Sequence, residues 1–172
     1  MSNEKLPLNI LTTGGTIEKI YDEFEGSLEN RETIVKNKLL QKLRTPYTEI
    51  QVKQVMSKDS LLMTEHDRQT ILEAIQDQGD EAPVVVLHGT DTLEITAKYC
   101  YEHHPFIKVP VVFTGAMKPL GFDDSDALQN VIEAMMASRI LPPGYYLTFH
   151  GKLFHAPNFK KNKTKGTFEE TT

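Results

Sequence analysis

The chain has 172 residues, of which 39% are hydrophobic and 25% charged, with one cysteine and a formal net charge of −5. This length suits one domain with a core of its own, and a lone cysteine excludes an intrachain disulfide. The acidic balance argues against nucleic acids and anionic membranes as partners, and no apolar run is long enough for a signal peptide or a membrane span. We therefore expect a cytoplasmic protein with no nucleic-acid and no membrane partner.

Short apolar runs alternate along the chain with segments of helical length. The predicted strands are residues 8–12, 50–55, 83–87, 109–113 and 145–149, and the predicted helices are residues 37–44, 64–79, 92–101 and 124–139. Several strands are almost continuously hydrophobic, as is typical of strands covered on both faces. This alternation predicts an α/β protein with a mostly parallel sheet between two helical layers, a three-layer αβα fold.

Two of the predicted helices carry clear local signals. Thr64, followed three residues later by Asp67, predicts a capping box. In the last helix, apolar pairs recur every four residues and place Met135 and Met136 in the core, with Ser125 and its acidic neighbours supplying capping oxygens before it.

Four strand ends carry small, hydroxyl-rich loops. They are TTGGT at residues 12–16, SKDS at 57–60, HGTDT at 88–92 and TGAMKP at 114–119. The glycine pair also fits a tight turn and HGTDT an N-cap cluster, and TTGGT lacks the spacing of a phosphate-binding loop. Because ligands bind beyond the carboxyl ends of parallel strands, the conjunction of four such loops favours one site suited to nucleophilic hydrolysis.

Two motifs carry a resemblance to a known family. The sequences ILTTGGTI at residues 10–17 and LHGTDTL at 87–93 resemble the two signatures of the bacterial-type L-asparaginases, and GAMKP at 115–119 and DSLLMT at 59–64 are similar to two further segments of that family. The resemblance implies the flavodoxin- or Rossmann-like fold of the family's N-terminal domain over residues 1–172, with no metal and no other cofactor. The family also has a smaller C-terminal domain beyond the matched motifs; we expect this chain to be a naturally short form without it, with a fragment of a longer protein as the alternative.

The resemblance also implies catalytic roles. Thr16 is the expected nucleophile, assisted by Tyr21 on a mobile lid that continues through the polar residues 22–31. Thr90 is expected to position or activate the attacking group, and Asp91 to hold the α-amino group of the substrate.

A lysine is expected to pair with the second threonine. Lys161 best matches its position, with Lys160 and Lys163 as alternatives. Ser60 is expected to bind the substrate α-carboxylate. The full set of implied substrate-binding residues is Gly15, Asp59, Ser60, Gly89 and Ala116. Glu18 and Leu61 depart from the family pattern, which places a charge beside the catalytic turn and an apolar group beside the serine.

The expected reaction is hydrolysis of L-asparagine to L-aspartate and ammonia, in a homodimer or homotetramer. A glutaminase or another small-amide hydrolase remains open, because one methylene is worth only about 1–3 kcal/mol of discrimination. A non-catalytic amino-acid-binding or regulatory module remains open as well. His88 is predicted to pack or hydrogen-bond at its strand end, and the other five histidines lack the spacing of a zinc site.

Overall fold

The computed structural model describes residues 4–30 and 35–172. The strands are β1 (Leu6–Gly14), β2 (Lys19–Asp22), β3 (Ser27–Asn30), β4 (Thr48–Lys58), β5 (Val84–Leu87), β6 (Pro110–Thr114), β7 (Gly144–Phe149), β8 (Lys152–His155), β9 (Phe159–Asn162) and β10 (Thr167–Glu170). The α-helices are α1 (Glu65–Gln76), α2 (Leu93–His103) and α3 (Ala127–Ile140).

Six strands form the central sheet in the order β4-β1-β5-β6-β7-β8. The first five are parallel, and β8 returns antiparallel to β7. Along β5, Val84 and Val86 pack with the cluster under α1 and α2, whereas Val85 and Leu87 pack with the cluster under α3. Helices therefore cover both faces, and the predicted three-layer α/β fold is confirmed.

The five predicted strands and three of the four predicted helices are present, and the differences are local. Residues 37–44 were predicted as a short α-helix, which is wrong: a π-type turn (Val35–Leu39) is followed by a 3₁₀ turn (Leu40–Lys42). Val35 and Leu39 are both fully buried, so a single turn is enough for this segment to place two side chains in the core.

The inward face of α3 also differs from the prediction. Ala127, Val131 and Ala134 are fully buried, whereas Met136 is 61% exposed. Adjacent residues on a helix point about 100° apart, so only one member of each apolar pair can face the sheet. The placement of Met136 in the core was therefore wrong, and its side chain lies along an outer groove.

Two hairpins lie outside the central sheet, and neither was predicted. β2 and β3 pair directly after the first glycine loop, and β9 and β10 pair near the end of the chain. The predicted polar lid segment thus contains the turn and second strand of an antiparallel hairpin up to residue 30, while residue 31 lies outside the described residues. No helix within the described ranges is long and apolar enough to cross a bilayer.

Candidate active site

The loops that follow β1, β4 and β5 touch one another, those after β1 and β5 through their backbones and that after β4 through the Ser60 side chain. A Cβ on Gly15 would lie 2.3 Å from the Cα of Gly89, and a Cβ on Gly89 would lie 2.6 Å from the Ser60 hydroxyl oxygen. Gly15 also has a φ of +82°, a conformation that side chains rarely adopt. Glycine is therefore required at this contact. Thr16 and Thr90 each follow one of the touching glycines, so their loops are adjacent.

Thr16 is half-buried and begins a short 3₁₀ turn. Glu18 stabilises this turn, because its buried carboxyl group accepts a hydrogen bond from the Gly14 amide at 2.8 Å. A second bond stabilises the turn as well: the Leu120 amide donates to the Ile17 carbonyl at 3.1 Å. The Glu18 side chain, which departs from the family pattern, therefore takes part in the hydrogen bonding of the glycine turn.

Lys161 joins the second motif to the C-terminal hairpin. Its Nζ donates to Thr90 Oγ1 and to Asp91 Oδ1, both at 2.8 Å. Thr90 is only 2% exposed and the Lys161 side chain 14%. Lys160, one residue earlier, pairs instead with Glu169 on the hairpin surface at 3.6 Å.

The backbone of Lys161 is also held. Its amide donates to Glu94 Oε2 at 3.1 Å, which ties β9 to the first turn of α2. Burial raises the pKa of the Glu94 carboxyl. Lys163, the third lysine considered, is exposed on the hairpin turn. Of the three lysines, Lys161 is the one that contacts Thr90.

Ser60 lies buried beneath Gly89, and its carbonyl accepts from the Thr92 hydroxyl at 2.9 Å. Asp59 uses both carboxylate oxygens locally: Oδ2 pairs with Lys19 Nζ at 2.9 Å, and Oδ1 accepts from the Leu61 amide at 3.0 Å. The hydrogen bond from Lys19 lowers the pKa of Asp59. Asp59 thus links the Ser60 loop to the start of β2.

Ala116 is buried in the loop after β6, which contacts the second motif. A Cβ on the preceding Gly115 would lie 2.3 Å from the His88 carbonyl oxygen. The Thr90 hydroxyl lies 3.8 Å from Met117 Sδ and donates to it. The Met117 amide donates to the carboxylate of Asp126 at 3.0 Å. Sequence reasoning missed Met117 and Asp126 as neighbours of the site, because neither has a local signal beyond the GAMKP segment.

Tyr21 stands apart from this cluster. It lies on β2, its side chain is 59% exposed, and its hydroxyl makes no hydrogen bond to any described residue. Thr90, Asp91 and Lys161 are in direct contact, whereas Tyr21 lies on a separate hairpin.

His88 has a structural position within the second motif. Its Nδ1 bonds the Gly89 carbonyl at 2.8 Å, and its Nε2 bonds Thr96 Oγ1 at 2.8 Å. Since a carbonyl only accepts, Nδ1 carries the proton. Burial lowers the pKa of His88 to about 4, so the ring is neutral near pH 7 and supports the loop. Among the described residues, no group of three His, Cys, Asp or Glu is placed to hold a metal.

The family assignment follows from comparison with known sequences. The family model described as "Asparaginase, N-terminal" matches residues 7–170. The chain therefore belongs to the asparaginase family.

Individual relatives agree with this assignment. The chain is 30% identical to the L-asparaginase of Thermococcus kodakarensis over 94% of its own length and 49% of the relative's length. It is 31% identical to a glutamyl-tRNA(Gln) amidotransferase subunit of Thermoplasma acidophilum over 74% of this chain and 31% of that one. The chain thus spans half or less of the length of these relatives.

Solved structures agree as well. The thermostable L-asparaginase from Thermococcus kodakarensis superposes with a TM-score of 0.81 at 29% identity, covering 96% of this chain and 51% of that one. A probable cytoplasmic L-asparaginase from Campylobacter jejuni gives a TM-score of 0.69 at 26% identity, covering 96% and 52%.

Proposed function

We propose that this protein is an amidohydrolase that converts L-asparagine and water to L-aspartate and ammonia through a threonine nucleophile. The observation that carries the proposal is the pair of 2.8 Å bonds from Lys161 Nζ to the Thr90 hydroxyl and the Asp91 carboxylate. This group lies one residue from the contact between Gly15 and Gly89 that brings the Thr16 loop alongside. Hydroxyl, carboxylate and ammonium groups so arranged suit acyl transfer to a hydroxyl.

In the first half of the proposed reaction, Thr16 Oγ1 attacks the amide carbon of the substrate side chain. The hydroxyl proton passes to the amide nitrogen by way of Tyr21 when the β2–β3 hairpin closes over the site. The C–N bond then breaks, ammonia leaves, and an ester to Thr16 remains.

In the second half, a water molecule attacks that ester. Thr90 orients the water, since Lys161 fixes the position of its hydroxyl. The ester C–O bond breaks, a proton from the attacking water passes to Thr16 Oγ1, and L-aspartate is released. Lys161 contributes a positive charge beside the developing negative charge.

Substrate recognition follows from charge. Asp91 is the proposed partner of the α-amino group and Ser60 of the α-carboxylate. Gly15 and Gly89 are the proposed means by which the loops of the site approach closely, and Ala116 lies buried in the adjoining loop after β6. Asp59 supports the Ser60 loop through its two local bonds.

L-Glutamine is the second candidate substrate, and the similarity to part of an amidotransferase keeps a related amide-hydrolysing role in view. A pocket separates two amides that differ by one methylene by about 1–3 kcal/mol, which is roughly 10- to 200-fold in kcat/KM. We further propose a cytoplasmic homodimer or homotetramer, as the family resemblance implies for a chain that spans about half the length of the relatives it matches.

Ammonia release from L-asparagine and L-glutamine by the purified chain tests the proposal. We expect turnover with asparagine preferred, abolition in Thr16→Ala, and full activity in Thr70→Ala, which changes a threonine on α1 whose hydroxyl bonds only its own helix. If Thr16→Ala keeps full activity, the nucleophile is wrong. If the wild type is inert but binds L-aspartate by calorimetry, the chain is an amino-acid-binding module. Light scattering on the same samples measures the oligomeric state, and a fully active monomer would contradict the proposed assembly.

A further inference from the structure

Three side chains near the proposed site are joined in series by hydrogen bonds, and we call this group the His150 bridge. It consists of Asp126, His150 and Thr167. His150 Nε2 lies 2.7 Å from Asp126 Oδ2, and His150 Nδ1 lies 3.0 Å from Thr167 Oγ1. A carboxylate only accepts, so Nε2–H donates to Asp126, and the rotatable Thr167 hydroxyl satisfies the other ring nitrogen. The imidazole is therefore held at both ends.

One end of the bridge is attached to the loop after β6. Asp126 accepts the amides of Met117 and Lys118, each at 3.0 Å. Burial raises the pKa of Asp126, but its bonds from these two amides and from His150 outweigh that effect, and its pKa lies below the ordinary value. The carboxylate is thus charged at neutral pH and fixes the segment whose Met117 sulfur touches the Thr90 hydroxyl.

The other end is attached to the hairpin that carries Lys161. Thr167 is the first residue of β10 and pairs with Asn162 on β9, while the next residue, Phe168, pairs with Lys161 itself. A movement of Thr167 along the hairpin therefore displaces Lys161 relative to Thr90.

The backbone of His150 joins the same network. Its amide donates to Asn130 Oδ1 at 3.1 Å, and Asn130 Nδ2 donates to the Gly115 carbonyl at 2.9 Å and to Asp126 Oδ2 at 3.1 Å. Asn130 is fully buried on α3. The turn between β7 and β8 and the loop after β6 are thus linked by both backbone and side chains.

The conformation of the turn between β7 and β8 does not by itself account for a histidine at position 150. His150 and Gly151 form a two-residue turn with φ values of +49° and +81°, the pattern for which asparagine followed by glycine is preferred. Asparagine suits the first position of such a turn better than histidine does. The imidazole is accounted for by its reach to both Asp126 and Thr167.

We infer that His150 is a positioning residue, which couples the loop after β6 to the β9–β10 hairpin and so keeps Lys161 in register with Thr90. The inference rests on the proposed function for its kinetic consequence, but its mechanical part concerns the hairpin alone. A two-stranded hairpin is only marginally stable by itself, so its exact position depends on such attachments.

The test compares His150→Asn, Thr167→Val and the double variant with the wild type. His150→Asn suits the turn and should remain folded, and Thr167→Val keeps the β-branched shape while removing the hydroxyl. We expect each single variant to lower kcat by about tenfold with KM within twofold, because Thr167→Val removes one bond of the bridge and His150→Asn removes both, and either change interrupts the bridge. Because both changes break one bridge, the double variant should be no worse than His150→Asn. His66→Asn, which changes an exposed histidine on α1, is the control and should match the wild type.

Hydrogen exchange provides a second measurement that does not depend on turnover. Amides of residues 159–170 should exchange faster in His150→Asn than in the wild type, with α1 and β5 unchanged. Losses that multiply in the double variant, or unchanged hairpin exchange, would overturn the inference. If the wild type has no activity, the proposed function fails, and the exchange measurement alone then decides whether the bridge exists.

Discussion

The two hairpins outside the central sheet differ in how they are anchored. The β9–β10 hairpin buries Phe159 and Phe168, whose rings pack against Phe149 and Phe154 of the core. The β2–β3 hairpin instead presents Phe24 at its turn with 98% of the side chain exposed. Since an isolated pair of strands is marginally stable, burial determines which hairpin has a fixed position.

This difference separates the two kinds of catalytic group proposed here. Lys161, on the anchored hairpin, already makes its contacts with Thr90 and Asp91. Tyr21, on the other hairpin, is exposed, and the proposed reaction requires a movement that brings it over the substrate. A group that stabilises charge benefits from a fixed position, whereas a closing element must have low local stability. The following predictions alter one hairpin at a time.

We expect the largest effect from replacing Lys161, the charged residue that the anchored hairpin places beside Thr90. Lys161→Met keeps the aliphatic length of the side chain and loses both hydrogen bonds. We expect kcat to fall by about 10³- to 10⁴-fold, the upper part of the range for groups that handle protons and charge. Ammonia release measures the change.

Lys160→Met is the matched control, because Lys160 lies on the outer face of the same strand and pairs with Glu169 at 3.6 Å. Its activity should remain near that of the wild type. Equal losses in the two variants would show that the hairpin as a whole, rather than the Lys161 contact, had been damaged.

The next effect concerns stability. Phe168→Ala deletes a buried ring from the anchored hairpin, and the free energy of unfolding should fall by about 3–5 kcal/mol. Phe24→Ala removes a phenyl ring from the exposed turn of the other hairpin and should change the free energy of unfolding by less than about 0.5 kcal/mol. Urea denaturation followed by circular dichroism measures both, and similar losses in the two variants would contradict the difference in anchoring.

Sequence patterns predicted five of the six strands of the central sheet, because β5, β6 and β7 are nearly continuous apolar runs and helix-length segments separate them; β8, which reads KLFH, was not predicted. The two hairpins escaped prediction for a physical reason. β2 reads KIYD and β9 reads FKKN, and neither shows sustained alternation. Their position depends on contacts made far along the chain, such as the rings of Phe149 and Phe168.

The candidate site also contains residues that could be predicted from the sequence and residues that could not. The glycine loops could be predicted because a positive φ and a close backbone approach leave a local mark in the sequence. Lys161 could be placed to within a few residues by its resemblance to the family pattern. Asp126 and His150 could not, since they are 24 residues apart and their bond is set by the packing of α3 against the sheet.

The smallest effect is expected at the base of the exposed hairpin, where Lys19 of β2 pairs with Asp59 at 2.9 Å. Both side chains are partly exposed, so Lys19→Met should lower the free energy of unfolding by only about 0.2–1 kcal/mol at pH 7. The bond from Lys19 lowers the pKa of Asp59 below its ordinary 3.8 in the folded chain. The stabilisation is therefore complete above that value and is lost as the pH falls through the lower, folded-state pKa.

Denaturation of the wild type and of Lys19→Met at pH 7, 5 and 3 should thus show a difference that persists to pH 5 and shrinks at pH 3. Lys58→Met is the control, since it breaks an ion pair of the same kind, with Asp67 at 2.6 Å, that does not involve the hairpin. Amides of residues 19–30 should exchange faster only in Lys19→Met. Equal acceleration in both variants would mean that the hairpin responds to global stability, and that the ion pair to Asp59 does not anchor it.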